Sequence, residues 1–173
     1  MSSASRIPIE WAIDPGEPLS PAEVEAVLEV AYLVMRADGR IAGEEVDAFG
    51  RIAAALRSRG MPGYRTSAGR QKVAAPLEGR PLEELLERFA SRVVQDGTDA
   101  RLEAIAGVLV RPGVPEVAYK VACGMAMVDL NDDDREFELD LALIAALGLT
   151  QDDADGLAAE VHQAMSQAPP STR

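Results

Sequence analysis

The segment AYLVMRADGRIAGEEVDAFGRIAAAL, at residues 31–56, decides the fold, because its pattern recurs at residues 122–147 as ACGMAMVDLNDDDREFELDLALIAAL. Each copy is an apolar run, an Asp, a short acidic stretch, a Glu and a second apolar run. Asp38 is matched by Asp129 and Glu45 by Glu136, and both matches lie 91 positions further along the chain. Apolar residues recur at helical spacing on both sides of the acidic stretch. The pattern predicts a helical hairpin that is used twice, with the two copies packed together to bury their apolar faces.

Signals for helix ends surround both hairpins. Ser20, followed by proline and then by Glu23, forms a capping box with proline at the first helical position. Gly39 is predicted to end the first helix in a left-handed conformation. Thr98 and Thr150 are predicted N-caps of two later helices. No segment alternates with the period of a strand. The sequence therefore predicts an all-α fold, a single compact bundle of about seven short helices.

The domain organisation follows from composition. A chain of 173 residues suits one domain. A basic stretch rich in Gly and Pro interrupts the helical pattern and is predicted to be a loop. The predicted segments are an N-terminal arm at 1–19, a helical domain at 20–166 and a flexible tail at 167–173. Within the domain we expect the first hairpin at about 20–57, the basic loop at 58–80 and the second half at 81–166.

The net charge of −12 restricts the partners. Acids outnumber basic residues by ten to two over residues 10–50 and by eleven to one over residues 129–160. Such a surface argues against nucleic acid and against anionic membranes as ligands, and it permits cations and basic proteins. A single cysteine excludes an internal disulfide, and neither a leader-like apolar region nor a membrane-spanning run is present. We expect a cytoplasmic protein.

The repeated motif resembles the TerB-like family of tellurite-resistance proteins. The first copy, MRADGRIAGEE at residues 35–45, is similar to the family pattern of Asp-Gly followed by Glu and a Leu/Ile-rich helix. The second, VDLNDDDRE at 128–136, is followed by AALGL at 145–149, but it has Leu130 where the family has glycine. The resemblance covers roughly residues 20–165. It implies an all-helical domain with a duplicated hairpin, a non-enzymatic role in bacterial tellurite resistance or stress response, and cation binding by acidic residues.

The acidic turns are candidate metal sites. Asp38, Glu45, Asp129 and Glu136 offer the oxygen ligands that a hard divalent cation prefers, provided that the two turns converge. Helix capping explains the same residues without metal, because Asp and Glu at a helix start satisfy free N–H groups and the helix dipole. Both interpretations remain open at this stage. The first predicts a cation-responsive or protein-binding module, and the second a purely structural interaction module.

Two other chemistries find less support. The run from Asp129 has acids at EF-hand spacing, with Asp140 at the twelfth position, but Asp134 stands where that loop requires glycine. The one histidine, His162, has no nucleophile near it in the sequence, and Cys123 lies among apolar residues, where a buried, inert thiol is expected. We therefore predict that the protein is not an enzyme. A carboxylate-dependent metallo-hydrolase is the remaining catalytic alternative.

Overall fold

The computed structural model describes residues 18–59, 81–128 and 134–167, and it describes their side chains except at 57–59, 134–136 and 167. These ranges contain seven helices and no strand, which confirms the predicted all-α bundle. The helices are α1 (Pro21–Met35), α2 (Gly43–Arg59), α3 (Leu82–Asp96), α4 (Thr98–Val108), α5 (Val114–Ala126), α6 (Asp134–Ala146) and α7 (Gln151–Gln167). Within the same ranges no helix is both long and apolar enough to cross a membrane.

The start of α1 is set by the predicted capping box. The Ser20 hydroxyl accepts a hydrogen bond from the Glu23 backbone N–H at 3.2 Å, and the Glu23 carboxylate accepts one from the Ser20 N–H at 2.7 Å. Two N–H groups that the first helical turn leaves free are thereby satisfied. Gly39 has a φ of 82°, the left-handed conformation expected of it, but the prediction that it ends the helix is wrong, because α1 ends at Met35 with Arg36 as its C-cap. Local chemistry thus fixes the start of α1, and Gly39 belongs to the turn that follows the helix.

The predicted cap at Thr98 is wrong. Gly97 precedes α4 with a φ of 84°, and no side chain caps this helix. Gly97 also ends α3, so a single residue separates the two helices and Thr98 is already helical. The cap at Thr150 is confirmed, because its hydroxyl accepts from the Asp153 N–H at 3.1 Å while the Asp153 carboxylate accepts from the Thr150 N–H.

The observed helices refine the predicted segment boundaries. Helix α2 reaches Arg59, two residues into the predicted loop at 58–80, and α7 includes Gln167, the first residue of the predicted tail. Leu19, placed in the N-terminal arm, is buried in the core. The rest of the arm up to residue 17, the loop at 60–80 and the tail at 168–173 lie outside the described residues.

Helix α1 is the centre of the bundle. Every residue from Ala26 to Leu33 is buried, and the helix packs against α2, α3, α4 and, most extensively, α5. A helix that is apolar on all sides is stable only when other elements surround it. The aromatic contacts in the core centre on Phe89 of α3. Its ring centroid lies 5.7 Å from that of Tyr32 and 6.5 Å from that of Phe49. The three rings join α1, α2 and α3.

The first helices of the two predicted hairpins end at matching positions. Helix α1 ends at Met35 and α5 at Ala126, a spacing of 91 positions that equals the offset between the two sequence copies. The corresponding first helices, α1 and α5, also share the largest helix–helix contact among the described residues. These bounds agree with a duplicated hairpin, and descent from a duplication stays a hypothesis.

Candidate functional site

The first acidic turn connects α1 to α2 and contains Asp38. Its carboxylate oxygen Oδ1 accepts a hydrogen bond from the backbone N–H of Arg40 at 2.7 Å. The side chain is partly exposed. This contact closes a tight turn around Gly39, a common use of aspartate in loops. Asp38 therefore stabilises the turn and still presents carboxylate surface to solvent.

Glu45 is more buried than the sequence indicates. It stands in the first turn of α2, is only 5% exposed, and its Oε2 accepts from the Ala42 N–H at 2.7 Å. Ala42 is the residue before the helix, so this bond is the carboxylate half of a capping box. The charge also lies at the positive end of the helix dipole. In this structure Glu45 acts as a helix cap.

The second pair of predicted ligands cannot be placed in the same detail. Asp129 lies outside the described residues, and Glu136 belongs to α6 without a described side chain. Across the described part of the chain, no three His, Cys, Asp or Glu side chains are grouped as metal ligands would be. Asp38 and Glu45 alone do not make a complete site. A divalent-cation site at the two turns stays a prediction that depends on Asp129 and Glu136.

Asp140 has a different role from the one that an EF-hand would require. It lies within α6, and its Oδ1 accepts a hydrogen bond from the Tyr119 hydroxyl of α5 at 2.8 Å. Burial, reinforced by this bond to a carboxylate, raises the pKa of Tyr119. The neighbouring thiol of Cys123 has its pKa raised from 9.0 to about 12 by burial and by the negative charge of Asp140. A thiol held in its neutral form is the opposite of an activated nucleophile.

A cleft of about 350 Å³ lies beside the first acidic turn. It was not predicted from the sequence, because its walls come from segments far apart in the chain. Arg36 belongs to the turn, Asp99 to the start of α4 and Glu138 to α6. The remaining lining residues are Leu33, Ala37, Gly39, Thr98, Leu102, Leu139 and Ala142. The turn of the first hairpin and the second helix of the other hairpin therefore face each other across one cleft.

An ionic network between α1, α3 and α4 was also not predicted from the sequence. Glu29, only 2% exposed, accepts from Arg101 Nε at 2.7 Å and from Arg92 Nη1 at 3.1 Å. Arg92 further pairs with Glu25, and Arg101 with Asp96. A buried carboxylate requires such partners, because desolvation without them is costly. The signal available in the sequence is an acidic residue inside an otherwise apolar helical run.

A second buried carboxylate fastens α1 to the segment between α4 and α5. Arg111 donates to both oxygens of Glu23, from Nε at 2.9 Å and from Nη2 at 2.8 Å. Arg111 Nη2 also donates to the Pro18 carbonyl at 2.9 Å. This two-pronged pairing lowers the pKa of Glu23 below its ordinary value. Glu23 thus serves both as part of the capping box and as a long-range anchor.

Comparison with protein-family models, with curated proteins and with solved structures finds no match to this chain.

Proposed function

We propose that the chain is a non-enzymatic binding module of the TerB-like type, which acts through its acidic surface as a cation-responsive or protein-binding element. The observation that carries the proposal is the cleft that sets the first acidic turn against α6. Helix α6 begins at Asp134, inside the second acidic stretch. The helix that carries the end of that stretch thus faces the first acidic turn, which supports a shared binding surface.

The environments of the cysteine, the histidine and the buried carboxylates, which are side chains that enzymes often use in catalysis, support a binding role. The pKa of Cys123 is raised, and His162 is exposed on α7. The buried carboxylates of Glu23 and Glu29 are held by arginines and are not available as acids or bases. What the described surface offers to a partner is exposed carboxylates, among them Glu44 and Asp47 beside the first turn. Charged surfaces of this kind steer oppositely charged ligands.

Divalent cations provide the decisive test. Thermal unfolding of the chelator-stripped full chain is measured with and without Ca²⁺, Mg²⁺, Mn²⁺ or Zn²⁺. A cation bound to the native state raises stability by about 2.7 kcal/mol at a hundredfold excess over Kd. The cation-responsive form of the proposal requires this rise, and requires its loss in Asp38→Asn and in Asp129→Asn. Glu103→Gln, an exposed position on α4 outside the cleft, is the matched control.

The protein-binding form makes a separate prediction. A basic partner would bind through the exposed acids, so Glu44→Gln combined with Asp47→Asn should weaken its binding and reduce the dependence on salt. The purely structural alternative is favoured by the cap that Glu45 forms and by the turn that Asp38 closes. Under that alternative Asp38→Asn alters stability only. Absence of any cation effect and of any salt-dependent partner would overturn the proposal and leave the structural module.

A further inference from the structure

The cleft beside the first turn carries charges of both signs. Its lining includes Arg36, a half-buried residue, and Asp99 and Glu138, two exposed residues from two other helices. Most sites that select a simple ion have one sign of charge. Here an anion drawn to Arg36 would meet two carboxylates, and a cation drawn to the carboxylates would meet Arg36. Mixed charge therefore attracts either kind of simple ion less strongly than a lining of one sign would.

Among the residues that the structure describes, none of the three charged side chains has a partner. Within the described part of the chain, the side chains of Arg36, Asp99 and Glu138 make no hydrogen bond or ion pair, so Arg36 Nη and Nε atoms stay more than 4.0 Å from either carboxylate. The arginines at 92 and 101, by contrast, are each held by acids. Opposite charges that face one cleft without touching leave room between them for a group that contacts both.

The apolar part of the cleft limits the size and shape of that ligand. Its lining is aliphatic, from Leu33, Leu102, Leu139 and Ala142, with no aromatic ring. Its volume of about 350 Å³ is at the small end of ligand pockets, which measure roughly 300–1,000 Å³. Such a space suits a small aliphatic group better than a segment of a partner protein.

We propose that this cleft binds a small zwitterion of the α-amino acid class with an aliphatic side chain. The carboxylate pairs with Arg36, the ammonium with Asp99 and Glu138, and the side chain lies on the aliphatic lining. Each charged contact is a charge-assisted hydrogen bond, the strongest kind available at a partly exposed site. The proposal shares this cleft with the one for the acidic turns but uses neither Asp38 nor a cation, so the L-leucine test and the divalent-cation test can fail separately.

The test is an amide chemical-shift titration of the ¹⁵N-labelled full chain with L-leucine to millimolar concentrations. Saturable shifts are expected at cleft amides such as those of Ala37, Thr98 and Leu139. Leucinamide lacks the carboxylate and N-acetyl-L-leucine lacks the ammonium, so each should bind about tenfold or more weakly. Arg36→Gln and Glu138→Gln should weaken L-leucine binding to a similar degree. Arg40→Gln, in the same turn but outside the cleft, and Glu103→Gln on α4 should bind within about twofold of the wild type.

Several results would overturn the proposal. Lack of any saturable shift with L-leucine excludes an aliphatic amino acid. Equal binding of leucinamide shows a cation site, and equal binding of N-acetyl-L-leucine shows an anion site. A loss in Arg40→Gln as large as that in Arg36→Gln shows general electrostatic attraction in place of a defined site. The amide spectrum of each variant reports whether it is folded, so a loss of fold is distinguished from a loss of binding.

Discussion

Glu29 and Arg101 lie 72 positions apart in the chain, and the guanidinium of Arg101 contacts both oxygens of the Glu29 carboxylate, at 2.7 Å from Nε and 3.0 Å from Nη2. The pair joins the central helix α1 to α4. The hydrogen bonds that Arg101 donates to Glu29 raise the pKa of Arg101 above its ordinary value, so its guanidinium stays protonated. It is a fixed ionic contact inside an otherwise apolar interface.

Glu29→Gln should therefore be strongly destabilising. Removing one partner of a buried pair leaves the other without compensation, at a cost of about 3–5 kcal/mol. We expect the lower end of that range, about 3 kcal/mol, because Arg92 and Arg101 retain 32% and 16% exposure and can be partly hydrated. Urea denaturation measures the loss, with Glu103→Gln on the exposed face of α4 as control. A loss no larger than that of the control would contradict a stabilising role for the pair.

Phe89 should be among the most sensitive core positions. It is fully buried and packs against the rings of Tyr32 and Phe49. Phe89→Ala should lower the free energy of unfolding by about 3–5 kcal/mol through lost burial and the cavity that remains. Phe137→Ala is the same chemical change at a residue that is 64% exposed, and it should cost at most about 0.5 kcal/mol. Similar losses at the two positions would be inconsistent with the packing described.

The effect of a helix cap on stability can be measured by comparing alanine substitutions of three hydroxyl residues at helix starts. Ser20→Ala and Thr150→Ala each remove a side-chain bond to a free helical N–H, and each should cost about 1 kcal/mol. Thr98→Ala removes no cap and should change stability by less than about 0.5 kcal/mol. Chemical denaturation of the three variants measures the difference. If Thr98→Ala lowered stability as much as Ser20→Ala, Thr98 would be a helix cap, as the sequence predicts.

Glu23 should make stability depend on acidity. Its pKa lies below the ordinary 4.5, first because Arg111 donates hydrogen bonds to it. A carboxylate with a lowered pKa in the folded state contributes stability above its unfolded pKa, and that contribution is lost as the pH falls through the folded value. The free energy of unfolding should thus fall below about pH 4.5.

In Arg111→Gln the pKa of Glu23 moves back towards its ordinary value. The variant should be less stable than the wild type at neutral pH, and the difference should shrink on acidification below pH 4.5. Arg40→Gln, an exposed position, controls for the loss of positive charge. If the difference in the free energy of unfolding between the wild type and Arg111→Gln stayed constant below pH 4.5, the pKa of Glu23 would not be linked to stability through Arg111.

Cys123 should react slowly with alkylating agents. Its pKa of about 12 leaves very little thiolate at mildly alkaline pH, and partial burial limits access as well. Asp140→Asn removes the negative charge that helps to raise this pKa, so the rate of modification by iodoacetamide should increase. Asp152→Asn, exposed at the start of α7, should leave the rate unchanged. Mass spectrometry of timed samples gives both rates, and an unchanged rate in Asp140→Asn would exclude the electrostatic contribution.

The features that the sequence predicts correctly depend on neighbours within four residues. The capping box at Ser20, the N-cap at Thr150 and the left-handed conformation of Gly39 are of this kind. Thr98 satisfies the same local rule and is nevertheless no cap, because Gly97 is the only residue between two helices. The unforeseen features, such as the pairing of Glu23 with Arg111 across 88 positions, depend on how helices pack. Helical periodicity identifies which face of a helix is buried but not which residue of another helix it meets.

The central position of α1 has a consequence for folding during synthesis. This helix leaves the ribosome before its largest partner, α5, which begins only at Val114. At a synthesis rate of about 5–20 residues per second, the interval between the synthesis of α1 and that of α5 is on the order of ten seconds. Contacts this distant along the chain also slow folding in general. During this interval the apolar residues that will form the core are exposed to solvent. The nascent chain then has the greatest need of a chaperone.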